Sequence, residues 1–112
     1  MNPKIKERWL EALRNGDYEQ GKRRLKQGDN YCCLGVLCDI LKDEVGGKWV
    51  NNRFEVEDKI RFGCLPDKVV NYCQLDYKLP LVKIDNNEIS LSELNDTGYT
   101  FNEIADIIEE QL

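Results

Sequence analysis

The chain of 112 residues contains no histidine. That removes the usual general base near neutral pH, the serine–histidine and cysteine–histidine nucleophile pairs, and histidine ligation of zinc. Neither phosphate-cradling glycine pattern occurs, whether Gly-x-x-x-x-Gly-Lys or Gly-x-Gly-x-x-Gly, and no Cys-x-x-Cys pair is present. No apolar run approaches the roughly 18–20 residues a membrane-spanning helix needs. The start, Met1-Asn2-Pro3-Lys4, leads into no apolar signal region. A reduced, cytoplasmic protein is expected. After Lys83 there is no basic residue at all.

What is present suits one globular domain. Hydrophobic residues make up 41% and charged residues 33%, a balance that supports a packed core within the usual single-domain length. Five cysteines (Cys32, Cys33, Cys38, Cys64, Cys73) form an odd set without an export signal, which points to free thiols packed as small hydrophobes. A cysteine-metal or thiol protein is the alternative; its site would have to combine Cys32 or Cys33 and Cys38 with Cys64 and Cys73. The formal net charge is −5, unevenly spread. Residues 1–28 carry eight Lys/Arg against four acids, and residues 29–112 carry eight against seventeen. A globally acidic chain is a poor general nucleic-acid binder, because phosphate affinity requires charge neutralised over an extended surface. A small anion could be held locally, or the two ends could attract each other.

The chain reads as α+β, a single domain (residues 1–112) with helices packed on short antiparallel hairpins. Asn2 as cap, Pro3 at the first position and Gly16 after the last turn delimit a first helix with Ile5, Trp9, Ala12 and Leu13 inward. Residues 18–25 followed by Gly28-Asp29-Asn30 predict a hairpin whose first strand is basic. Alternation would put Lys22 and Arg24 on one face and Arg23 and Leu25 on the other. The most apolar helix is expected over Cys33–Lys42, with Gly35 permitting close packing and Gly46-Gly47 ending it. Asn51-Asn52 and Asp85-Asn86-Asn87 mark two further hairpin turns, and Pro66 opens a helix over 67–75. Ser90–Glu93 and Thr100–Glu103 each match a capping box, and Tyr99 with Ile104 has the spacing of a hydrophobic staple.

Two places carry candidate binding chemistry. Tyr18-x-Gln20-Gly21-Lys22-x-Arg24 offers an aromatic ring, an amide and two cations, the groups that hold a phosphate or ribose-linked anion. The competing reading pairs that basic strand with the acidic C-terminus. Asn95 and Asp96, between the two capped helices, could meet the same ligand or simply form a turn. No catalytic set, metal site or cofactor is expected.

The segments Asn2 to Gly21, Cys32-Cys33-Leu34-Gly35-Val36-Leu37-Cys38-Asp39, Leu65-Pro66-Asp67 and Leu94-Asn95-Asp96-x-Gly98-x-x-Phe101-x-Glu103-Ile104-Ala105-Asp106 resemble a group of small proteins encoded by bacteriophages and prophages. The group has no assigned activity. The resemblance implies a setting, the cytoplasm of an infected bacterium, and by analogy a counter-defence factor. The leading expectation is a non-enzymatic homo-oligomer that sequesters a nucleotide-derived immune signal. The alternative is an inhibitor that binds a host defence protein through its acidic C-terminal surface, at Asp106, Glu109 and Glu110.

Overall fold

Asn2 caps the first helix as expected: its side-chain oxygen accepts the amides of Lys4 and Ile5 at 2.9 and 3.1 Å. The computed structural model describes residues 1–61 and 63–112. The first helix, α1, spans Pro3–Arg14 and buries Ile5, Trp9, Leu10, Ala12 and Leu13. Three two-residue strands follow, β1 (Glu19–Gln20), β2 (Lys26–Gln27) and β3 (Asn30–Tyr31). Helix α2 (Cys33–Val45) ends on Gly46 in the left-handed conformation, at φ 69°. The strands β4 (Lys48–Val50), β5 (Arg53–Val56) and β6 (Lys59–Arg61) form an antiparallel sheet in that order. Then come α3 (Asp67–Cys73), the hairpin β7 (Leu81–Ile84) and β8 (Asn87–Ser90), and helices α4 (Leu91–Asp96) and α5 (Phe101–Gln111). The architecture is α+β.

Helix α2 is the hub. It packs against α1, α3 and α4, while α5 lies along α1. Cys33, Leu34, Val36, Leu37, Cys38 and Leu41 are all fully buried, which is why this stretch carries no alternation of polar and apolar residues. Trp9 is also fully buried, and its indole N–H donates to the Cys33 carbonyl at 3.0 Å. The charged ends meet within the chain: Arg14 reaches Asp106 at 2.7 Å, and the Lys6 ammonium donates to the Glu109 carbonyl at 2.9 Å. No helix among the described residues is long and apolar enough to cross a membrane.

The hairpin turns follow side-chain chemistry where that chemistry was visible. Asn51 and Asn52, and Asp85 and Asn86, all have positive φ, as two-residue hairpin turns require. Strand β6 had no such signal, because its turn uses Glu57 and Asp58 at φ 52° and 63°. The Thr100 box closes in both directions, with Thr100 accepting from the Glu103 amide and Glu103 accepting from the Thr100 amide. At Ser90 only the first half forms, at 3.2 Å from the Glu93 amide.

The expected basic strand over residues 18–25 is not formed. Only Glu19 and Gln20 are extended, and they pair with β3 in parallel; the antiparallel partner of β3 is Lys26–Gln27. Gly21–Leu25 is irregular, with Lys22, Arg23 and Arg24 all exposed and Leu25 fully buried. The alternation of Lys22 and Arg24 against Arg23 and Leu25 therefore fails. Arg23 adopts φ 70°, which turns the chain out of the extended path.

Candidate functional site

The loop is held by three polar side chains, Gln20, Asn95 and Asp96. The Gln20 amide donates to the Asn95 side-chain oxygen at 2.9 Å and to the Tyr99 carbonyl at 2.8 Å, and its own oxygen accepts the Phe101 amide at 3.1 Å. Asn95 is fully buried, and it is the only buried amide or charged side chain among the described residues. Its oxygen also accepts the Cys33 amide at 3.2 Å, and its nitrogen donates to the Gly21 carbonyl at 2.8 Å. Asp96 accepts the Arg23 amide at 2.7 Å. One buried amide thus ties the loop, the start of α2 and the end of α4 together, and every buried polar group in the clasp has a partner.

Of the six residues expected to bind ligand, three therefore serve the fold. Gln20 and Asn95 spend their amides internally, and one Asp96 oxygen holds the loop backbone. Asn95 makes neither a simple turn nor an open ligand contact, because it sits in the last turn of α4 facing inward. Lys22 and Arg24 are exposed, and no ion pair among the described residues includes Lys22, Arg23 or Arg24. Tyr18 is half-buried. Its hydroxyl donates to Asp39 at 2.6 Å and its ring meets Tyr31 edge-on at 5.0 Å.

Asp39 is a polar centre outside the six residues expected to bind ligand. Besides Tyr18 it accepts the Trp49 indole N–H at 2.9 Å and faces the Lys42 ammonium at 3.3 Å. Its signal was present, as the one carboxylate inside the apolar run Leu34–Leu41. Tyr18, Tyr31, Trp49 and Phe54 meet in series through two edge-on contacts and one tilted one, with the Lys26 ammonium over the Tyr31 ring at 5.6 Å. Burial disfavours the Asp39 carboxylate. The hydrogen bonds from Tyr18 and Trp49 and the charge of Lys42 outweigh it and hold the pKa below the ordinary value. Burial and the same carboxylate push the Tyr18 phenol upward.

A depressed carboxylate stabilises the fold above its unfolded pKa and loses that contribution as pH falls through the folded value. Asp39→Asn is expected to cost about 1–2 kcal/mol at pH 7. It should also flatten the loss of stability below about pH 4. Urea midpoints of both proteins between pH 7 and pH 3 measure this, and equal acid limbs would refute it.

Between α1 and α2 lies an open cleft of about 420 Å³. Glu11, Asp17 and Asp43 line it, while its two bases are already engaged, Arg8 by Glu44 at 2.6 Å and Lys42 by Asp39. Such a lining repels an anion. The cysteines are placed as packing residues: Cys32, Cys33, Cys38 and Cys73 are buried, and Cys64 is half-buried. Burial pushes the Cys32 thiol up to about 11 and Cys73 up to about 12, so neither is a thiolate at neutral pH. Among the described residues no three His, Cys, Asp or Glu side chains are grouped to hold a metal ion.

Fold and clasp together define a small α+β domain in which a buried asparagine presents a basic loop. The chain belongs to the family described as a domain of unknown function (DUF8296), whose model matches residues 1–112. No curated protein and no solved structure matches it.

Proposed function

We propose that the protein is a non-enzymatic binder that holds a small nucleotide-derived anion at the loop Lys22–Arg24. The observation that carries this reading is the backbone of Arg23. Eight non-glycine residues among those described have positive φ. Seven of them form hairpin turns or end a helix, which leaves Arg23. A left-handed backbone costs a residue with a Cβ roughly 1–2 kcal/mol, and strain of this kind collects where a loop must keep a specific shape. Here the Asp96 and Asn95 bonds maintain it, and the result is three consecutive exposed cations on a fixed backbone. Arginine supplies charge and paired donors to a phosphate, and lysine a point charge.

The resemblance to small phage proteins suggests the setting: counter-defence in the cytoplasm of an infected bacterium, by sequestration of an immune signal. So small a domain would enclose such a ligand best in a pocket shared between copies, hence as a homo-oligomer. The rival reading, inhibition of a host protein through the acidic C-terminal surface, is weakened because Asp106 and Glu109 already face Arg14 at 2.7 and 3.4 Å.

Calorimetry with cyclic oligonucleotides and cyclic ADP-ribose isomers tests the proposal. At least one ligand is expected to bind. The double variant Lys22→Glu/Arg24→Glu should weaken it at least tenfold while leaving the circular dichroism spectrum unchanged. No heat with any of these ligands at micromolar protein would sink it.

A further inference from the structure

A second surface lies elsewhere on the molecule and shares no residue with the basic loop. The loop after α3, strand β8 and the end of α5 enclose a groove of about 330 Å³. Five large hydrophobic residues are exposed among those described, and three of them (Tyr72, Tyr77, Leu79) belong to α3 and the loop that follows. Tyr72 is tied by its hydroxyl to Glu44 at 2.6 Å. Tyr77 and Leu79 have no such tether and are 57% and 39% exposed. Of the three, Tyr77 lines the groove itself, and Leu79 follows two residues on in the same loop, outside that lining.

Apart from the Tyr77 hydroxyl, the polar side chains left free in the groove are acceptors. Gln111 is spent on β7, where its amide donates to the Lys83 carbonyl at 2.8 Å and its oxygen accepts the Lys83 amide at 2.7 Å. Asp76 and Glu88 line the groove, both are exposed, and neither belongs to any ion pair among the described residues. No lysine or arginine lines it; Lys83 stands opposite Glu88 in the hairpin register without pairing to it.

We infer that this groove docks an arginine-bearing apolar segment of another protein. A guanidinium brings donors only, which matches two acceptor-only carboxylates, and its flat face suits the exposed ring of Tyr77. Aliphatic neighbours of the arginine would cover Leu79. An anionic nucleotide is excluded by the same charges, so this surface is independent of the ligand proposed for Lys22–Arg24.

The test is a titration of ¹⁵N-labelled protein with the peptide acetyl-Leu-Arg-Leu-Leu-Arg-amide, followed by amide chemical shifts. The same peptide with citrulline in place of arginine serves as the uncharged control. Shifts are expected at Tyr77, Leu81 and Glu88, with at least fivefold weaker binding of the citrulline peptide. Asp76→Asn/Glu88→Gln should reduce affinity for the arginine peptide by a similar factor, and higher salt should weaken it. Equal binding of the two peptides overturns the inference, as do shifts spread along α5. A concentration-dependent dimer that Asp76→Asn/Glu88→Gln dissolves would make the groove a contact between copies, and overturns it too.

Discussion

Gly35→Ala is expected to destabilise the protein by at least about 3 kcal/mol, with a melting temperature lower by roughly 12 °C or more. Gly35 sits in the first turn of α2 against the carbonyl of Leu25, and a Cβ built on it would lie 1.7 Å from that oxygen. The obstacle is backbone, so no side-chain rotation relieves it. Movement of the Leu25 carbonyl is opposed from both sides: it accepts the Cys32 amide at 3.1 Å, and the Leu25 side chain is fully buried. Helix α2 cannot retreat either, since its first amide is held by Asn95. Against a typical total stability of about 5–15 kcal/mol, such a loss leaves a marginal fold. Gly63 provides the control: a Cβ there meets nothing within 4 Å, and Gly63→Ala should change stability by less than about 0.5 kcal/mol. Urea denaturation of both variants decides the matter. A Gly35→Ala protein within about 1 kcal/mol of the parent would show that α2 and Leu25 are not locked together.

Asn95→Leu is the second large effect, at about 3–4 kcal/mol. The substitution keeps the branching and the number of side-chain heavy atoms, adds some bulk, and removes every polar atom of the side chain. It strands the buried Cys33 amide and takes a partner from the half-buried Gly21 carbonyl and Gln20 amide. Each unsatisfied buried group costs about 1–3 kcal/mol. Asn95→Asp separates charge from shape. It keeps the acceptor for Cys33 and Gln20 but points a second oxygen at the Gly21 carbonyl and buries a carboxylate next to Asp96. Burial raises the folded pKa of such a group, so its penalty is smallest below about pH 4 and grows as pH rises. The loop should respond as well as the fold: trypsin cleavage after Lys22, Arg23 or Arg24 is expected to accelerate at least tenfold in Asn95→Leu under native conditions. Unchanged cleavage together with unchanged stability would remove Asn95 from its role as the anchor of the basic loop.

Local chemistry alone determined much of this protein. Asn2 with Pro3, Thr100 with Glu103, and Gly46 after α2 set helix limits within a residue or two, because caps act on the few orphan amides and carbonyls nearest them. Asn51-Asn52 and Asp85-Asn86 set two hairpins, since these side chains tolerate the left-handed backbone a two-residue turn demands. The apolar run from Cys33 to Leu41, broken only by Asp39, marked the buried helix, and Gly35 its close approach. The charge of Lys22 and Arg24 was legible as well. What they stand on was not. The turn chemistry of Gly28-Asp29-Asn30 makes residues 18–25 read as a strand, yet Arg23 turns left-handed because Asp96 accepts its amide from 73 positions away. Gln20 is likewise matched to Asn95 across 75 positions, and Tyr18 to Asp39 across 21. No local propensity encodes those partners. Asn95 and Asp96 look like turn residues in sequence, and only the packing of α4 against α2 turns one of them inward. The sequence by itself determined where the helices and turns lie and where the cations are. The tertiary structure decided which polar side chains hold the loop and which stay exposed on it, because a hydrogen bond depends on proximity in space and not on separation along the chain.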